Sequence, residues 1–373
     1  MKQNEFMRSN LGLYFHIPFC LKKCNYCAFY SCTNLNLIDL FVSRLNEQVL
    51  NSSYCGELVD SIYFGGGTPN LLTTRQLWQI LNTIYLKYRV SKNIEITLEF
   101  NPNMENCKFY LQSLKRLGFN RLSVGVQSTL DENLIFLGRL HKFANVFETI
   151  FTAASVGFKN ISIDFLVGLP GQSKHKLKNE LKTLLSFPLT HLSVYQLKIE
   201  KNTKFALLNS KIFPCSDAVA EMFECVVMYL TKNGFNYYEV SNFAKPGFEC
   251  VHNLKYWMQK FYQGFGPSAH SYYKCKRYYY PSNLYAFLQG EIKKMNEAEI
   301  FTKEIEWLIL RLRLTQQISF NELTQHGFFN TGFILKLKEL SKNKLCELNE
   351  NGFKLTLKGL LVQNSLIAYL LDF

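Results

Sequence analysis

Across its first two hundred residues the chain repeats one rhythm six times, a short β-rich run followed by an amphipathic helical stretch. The β-rich runs are LGLYFHI (11–17), VDSIYFGG (59–66), IEITLEF (94–100), RLSVGVQ (121–127), NISIDFLVGL (160–169) and HLSVYQL (191–197). Between them, stretches such as TTRQLWQILNTIYLKY carry apolar residues at three-and-four spacing, and several stop at Gly or just before Pro. Strands alternating with helices become parallel strands joined by crossovers. Six units in a row predict an α/β fold built on a partial (β/α)6 barrel of the TIM type, with a doubly wound open sheet as the competing arrangement. In either case ligands belong at the C-terminal ends of the strands.

The rhythm stops near residue 205. One helix, from Asp217 and ending at Gly234, and a strand-and-turn stretch, YYEVSNFA, come next. From about residue 296 the pattern reads helix, helix, helix, hairpin, helix, the order of a winged-helix-like module. Three segments are therefore expected: a barrel over 1–205, a linking region over 206–295 and a mostly helical C-terminal domain over 296–373. Hydrophobic residues at 47% against 19% charged suit a large core. The sequence holds no run of some 18 apolar residues that would cross a membrane, and MKQNEFMRSN lacks the apolar core of a signal peptide. The expected location is the cytoplasm. The net charge of +13 is scattered rather than blocked, which reads as solvated surface and not as a nucleic-acid groove.

Eleven cysteines, an odd number, with no export signal argue against a disulfide framework. Only Cys20, Cys24 and Cys27, in CLKKCNYCAFY directly after the first strand, have the spacing of metal ligands. A zinc site asks for a fourth Cys or His, and the chain has no second Cys-x-x-Cys. Three cysteines on an iron–sulfur cube leave one iron open for a chelating molecule. The amine and carboxylate of S-adenosylmethionine (SAM) are suited to that iron, and one electron from the cube cleaves the sulfonium C–S bond.

Further polar groups fall at the ends of successive strands. The glycines of YFGGGTPN (63–70) let a backbone approach a ligand closely. Glu99 ends LEFNP, Gln127 ends GVQS, Arg139 lies in LGRLH and Asp164 lies in ISIDFLVGLPGQ. Each alone also fits a cap or a buried ion pair. Together they gather where barrel active sites form.

The strings LYFHIPFCLKKCNYC, YFGGGTP, VQS, LGRLH and IDFLVGLPGQ resemble one branch of the radical-SAM superfamily. That branch holds the oxygen-independent coproporphyrinogen III oxidase and the haem chaperones of the HemW type. The resemblance runs from Tyr14 to near the C-terminus. It implies a [4Fe–4S] cluster on Cys20, Cys24 and Cys27. It also implies that Tyr14 and Tyr26 flank the SAM site, that Gly66, Gly67 and Thr68 contact its methionyl end, and that Glu99, Gln127, Arg139 and Asp164 hold the rest.

Two features separate the branches. The oxidase is similar in having a further cysteine two positions after the trio, where this chain has Phe29. It also has a longer N-terminal extension, where this chain has thirteen residues before Tyr14. A third feature, HNLKYW (252–257), resembles the motif that marks the chaperone. His252 offers an axial iron ligand. Tyr256 and Trp257 offer flat apolar faces, and Asn253 lies between. Read without the resemblance, the same run is a packed aromatic turn with a satisfied histidine. His270, after Gly264 and Gly266, is a second candidate ligand.

The expectation is thus a haem chaperone that binds haem, a [4Fe–4S] cluster and SAM and delivers haem to acceptor proteins. The alternative is oxidative decarboxylation of coproporphyrinogen propionates. The expected partners are haem or a porphyrin, haem-accepting proteins, an electron donor for the cluster and, transiently, membrane proteins, with a homodimer as the candidate assembly.

Overall fold

The computed structural model describes residues 10–297 and 300–372. All but Asn10 of the N-terminal stretch read above for a targeting signal lies outside the described residues.

The six strands are β1 (Leu11–Ile17), β2 (Leu58–Gly66), β3 (Arg89–Phe100), β4 (Arg121–Gln127), β5 (Asn160–Val167) and β6 (His191–Gln196). They are joined by α1 (Ile38–Leu50), α2 (Thr74–Lys87), α3 (Lys108–Arg116), α4 (Asp131–Leu137) with α5 (Phe143–Ser155), and α6 (Lys174–Leu184). Each strand pairs in parallel with the next. β3 begins five residues earlier than the apolar alternation predicts. Arg89 and Val90 pair with Leu58 and Val59, so backbone pairing extends the strand through RVSKN, which lacks an apolar pattern.

Parallel strands covered by helices usually carry apolar residues on both faces, but here only the outer face does. Leu11, Leu13, Phe15 and Ile17 of β1 are fully buried, with Phe15 stacked against Phe64 and Phe265. Burial of each such phenylalanine contributes about 2 kcal/mol. The residues between them, Gly12, Tyr14 and His16, lie in register with Ser61, Tyr63 and Gly65 of β2. Ser61 and Tyr63 are in turn in register with Glu95 and Thr97 of β3, and Glu99 with Ser123 of β4. The inner face is a polar lining, and it positions the site.

The chain then closes both flanks of the sheet. After α7 (Ser216–Lys232), β7 (Asn236–Glu239) and β8 (Asn242–Ala244) add antiparallel strands beside β6. After α8 (Val251–Trp257), β9 (Tyr262–Phe265) runs parallel to β1. Next come β10 (His270–Tyr273), β11 (Lys276–Tyr279), α9 (Leu284–Gln289) and β12 (Met295–Asn296). The result is a twelve-stranded sheet in the order β12-β11-β10-β9-β1-β2-β3-β4-β5-β6-β8-β7. The expected border at 205/206 does not divide the packing, because the largest apolar core runs from Leu11 to Leu288. The strands after 205 are short and pair on the open edges of the barrel, which would otherwise expose unpaired backbone.

A separate core from Trp307 to Leu370 holds the C-terminal unit. Its elements are α10 (Lys303–Arg311), β13 (Ile318–Ser319), α11 (Phe320–Gln325), α12 (Thr331–Lys342), β14 (Cys346–Asn349), β15 (Gly352–Leu355), α13 (Leu357–Leu361) and α14 (Gln363–Leu371). Three helices, a hairpin and a final helical stretch follow in winged-helix order, with β13 added to the hairpin. Among the described residues no helix is long and apolar enough to cross a membrane.

Candidate functional site

The loop after β1 is closed at its base by Cys20 N–H donating to Cys32 O (3.0 Å) and Cys32 N–H to Pro18 O (2.6 Å). Its far side is pinned to the end of α4. Asn25 donates from its backbone to Leu137 O (2.9 Å) and from its side chain to Phe136 O (2.8 Å). Gly138, at φ +74°, leaves room for that asparagine. The three cysteines of the loop line one cavity of about 450 Å³ at the C-terminal ends of the strands. They do not collapse onto a single-ion site. Among the described residues no three His, Cys, Asp or Glu side chains converge in that way.

Each strand end adds to the cavity. Gly66, at φ +105°, donates its N–H to Glu99 Oε2 (2.9 Å), and the Tyr63 hydroxyl donates to Glu99 Oε1 (2.9 Å). Gly67 N–H bonds Ile17 O (2.9 Å), and the Thr68 hydroxyl reaches Cys20 Sγ (3.6 Å). A Cβ on Gly67 would sit 2.6 Å from Phe19 O. The glycine run is therefore needed to lay this strand end against the cysteine loop. Arg139 donates to Gly125 O (2.8 Å), Asn101 Oδ1 (3.0 Å) and Cys24 Sγ (3.6 Å), while its Nε is buried without a partner. Gln127 lines the cavity from a left-handed backbone at φ +69°, where β4 slips register between Gly125 and Gln127.

Burial raises the carboxyl groups here. Glu99 is pushed up to about 7 by desolvation and then by the charge of Asp164, against the bonds from Tyr63 and Gly66. Asp164 is pushed up to about 6 by desolvation, against Ser193, Arg121 and Ser123. Tyr26, also in the cavity, is pushed up by burial, partly offset by Arg139.

Of the SAM-site residues expected from sequence, the structure gathers Tyr26, Gly66, Gly67, Thr68, Glu99, Gln127, Arg139 and Asp164 around this cavity. Tyr14 is not among the lining residues; its hydroxyl bonds His16 Nδ1 (3.1 Å) behind the glycine strand. Tyr63, Asn101, Ser123 and Tyr195 also line the cavity and were missed. Period-two alternation was the available signal, since Ser123, two residues before Gly125, and Tyr63, two before Gly65, share the inward phase.

The HNLKYW run is elsewhere. It forms α8, which enters the barrel from the opposite end. Glu95 Oε2 and Oε1 accept the backbone N–H groups of Val251 and His252 (3.1 Å each). His252 is buried, with Nδ1 bonded to Ser61 Oγ (3.0 Å) and Nε2 to the Tyr256 hydroxyl (2.9 Å). Lys255 pairs with Asp60 (2.6 Å), and Arg313 of the C-terminal unit covers the Trp257 ring at 5.2 Å. Both ring nitrogens of His252 are committed, so in this structure it cannot take an axial place on an iron. Asn253, Tyr256 and Trp257 are correspondingly parts of a packed helix and not walls of an open cleft. His270 is exposed on β10 and pairs with Glu297 (2.5 Å). Gly264 and Gly266 are required by the chain's own backbone, because a Cβ would meet His270 O at 2.3 Å and His16 O at 2.6 Å.

The Radical SAM superfamily profile matches residues 14–184. A Bacillus subtilis protein named heme chaperone HemW is 35% identical over 370 residues, covering 95% of this chain and 97% of its own. The chain belongs to the HemW family of radical-SAM proteins. HemW of Escherichia coli is 34% identical, covering 82% of this chain and 83% of its own. Among solved structures, coproporphyrinogen III oxidase (HemN) from E. coli, described as a radical SAM enzyme, superposes with a TM-score of 0.84. It covers 98% of this chain and 91% of its own at 23% identity, a likeness of fold.

Membership of this family implies a [4Fe–4S] cluster and SAM, and the residues present in this HemW-family chain fit both. Three thiols face one cavity, the glycine strand brings bare backbone to its wall, and the orphaned Arg139 Nε is a buried donor without an acceptor.

Proposed function

We propose that this chain is a haem chaperone, binding haem beside a SAM and cluster site and passing it to acceptor proteins. The observation that carries the reading is the kinship over 95% of the chain to a protein named as such a chaperone. Phe29 supports it, since it stands exposed at the cavity where the oxidase has a further cysteine.

In this reading Cys20, Cys24 and Cys27 hold the cluster. The chemistry that the cluster supplies with SAM, when both are bound, is one-electron cleavage of the sulfonium C–S bond. The chain's own residues bind and orient. The backbone of Gly66 and Gly67 with Thr68 receives the methionyl end, Glu99 takes the ammonium group, and Arg139 takes the carboxylate on its free Nε. Gln127 and Asp164 face the ribose, and Tyr26 closes the side next to the thiols. The partners are an electron donor and the haem acceptor, with a homodimer as the candidate assembly. A cytoplasmic setting belongs to the same reading, supported by eleven cysteines that are all free.

The second reading, coproporphyrinogen decarboxylation, is favoured by one observation, the HemN-like fold over nearly the whole chain. The experiment is anaerobic reconstitution followed by two assays on one preparation. The chaperone reading expects a stoichiometric haem Soret band and no decarboxylation of coproporphyrinogen III. Turnover of that porphyrinogen without haem binding would replace it with the oxidase reading.

A further inference from the structure

Part of the cavity lining, including Lys22, Lys23, Phe29 and Leu197, is left unused by the SAM and cluster ligands. Phe29 is 69% exposed there, on the loop held by the Cys20–Cys32 and Asn25–Leu137 backbone bonds. What sets Phe29 apart from other exposed aromatics is its place in the cavity lining, where its ring offers a flat apolar face. Lys22 and Lys23, on the same loop, also line the cavity, and neither makes an ion pair among the described residues. Leu197, just past the end of the sixth strand, adds an apolar side chain to the lining.

The volume decides how a second ligand must sit. About 450 Å³ lies in the usual range for one bound small molecule. SAM alone would take up most of that volume, so a second ligand would have to sit at the solvent side, against the exposed Lys22, Lys23 and Phe29. The mouth presents an aromatic face, an aliphatic wall and two unpaired ammonium groups. These features match a flat apolar ring system that carries two carboxylates on one edge. None of the lining residues is a histidine, so this face supplies no imidazole to a metal at the ring centre.

We propose that haem binds across the mouth of this cavity, with its ring on Phe29 and Leu197 and its propionates on Lys22 and Lys23. The site rests on the chaperone reading and gives it a location. It also suggests how haem leaves. An iron without a histidine ligand from the chaperone is open to the acceptor's own ligand, which has no strong bond to displace.

The test is haem titration of the anaerobically reconstituted full chain, followed at the Soret band. Phe29→Ala is expected to weaken haem binding about tenfold, the loss of roughly 1.4 kcal/mol of buried aromatic surface, while Phe29→Tyr retains it. Lys22→Glu with Lys23→Glu is expected to weaken binding at least tenfold and to flatten its dependence on salt. All three positions are exposed, so folding and cluster content are expected to match the wild type. If the wild type binds haem and both the alanine and the double-glutamate variants bind it equally well, the mouth is not the site. If the wild type binds no haem, the chaperone reading itself fails and takes the site with it.

Discussion

Arg139 donates from Nη1 to the sulfur of Cys24 at 3.6 Å, while Nη2 holds Gly125 O and Asn101 Oδ1. A half-buried cation is thereby fixed beside a thiol that the family assigns to a cluster. Positive charge next to a ligand sulfur favours the state with one more electron. Arg139→Gln is therefore expected to lower the cluster's reduction potential by about 60 mV, a tenfold change for one electron. A potentiometric titration read by electron paramagnetic resonance measures this directly. An unchanged potential at full cluster content would mean that the cation acts only as a brace.

Glu99 gives a pH dependence with a definite sign. Its carboxyl is raised from 4.5 to about 7, mainly by burial. A folded-state value above the unfolded one means that the contribution to stability is complete below about pH 4.5 and is lost as pH rises through 7. Glu99→Gln should therefore stabilise the SAM-free protein at pH 8 more than at pH 4. The difference is up to about 3 kcal/mol, and thermal melts at the two values will show it. SAM binding should run the other way in the wild type, weakening as pH falls through 7, because its ammonium group needs the ionised carboxylate. Calorimetric titration between pH 6 and 8 would reveal a flat affinity if Glu99 does not meet that ammonium.

The sequence placed this cavity well because strand ends are legible. Glu99, Gln127 and Asp164 each stand out as polar groups closing an apolar run. The glycines and the cysteine spacing mark their own positions. Arg139 was legible by resemblance, but not its contact with Cys24, which depends on how α4 returns over the loop. The HNLKYW run was legible as a motif, but its packing as a helix was not. Its hydrogen-bond partners, Glu95 and Ser61, lie more than 150 residues away in the chain, and no local pattern announces that the run fills the barrel. The same limit hid the edge strands after residue 205, which are three or four residues long for the most part and take their order from pairing, not from propensity.

Gly67 tests the glycine strand. Its Cβ would approach Phe19 O at 2.6 Å and Ile17 O at 2.7 Å, both backbone atoms that cannot rotate away. Gly67→Ala must therefore push the strand end off the cysteine loop. The expectation is a loss of SAM binding of tenfold or more together with reduced cluster content, measured by iron and sulfide analysis. Gly118→Ala is the control. Its backbone at φ +98° is strained by a side chain, but the nearest neighbour stands at 3.7 Å and it lies away from the cavity, so stability falls by about 1 kcal/mol while SAM binding stays.

His252 is the remaining position at which resemblance and geometry part. Its ring bridges Ser61 on β2 and Tyr256 on its own helix, fully enclosed. Burial, and then the charges of Lys255 and Arg121, lower its pKa to about 3. A histidine lowered in the folded state contributes stability that is present above its unfolded pKa, near 6.5. That contribution is lost as pH falls toward 3. His252→Ala leaves two buried hydroxyls without a partner and a cavity behind them, at a cost of about 3 kcal/mol. The expected result is a lower melting temperature at pH 7.5 with a smaller deficit at pH 5. In the folded fraction, haem should give the same Soret band as the wild type. A folded variant that loses the haem spectrum while keeping its cluster would show that α8 leaves the barrel to present this imidazole to iron.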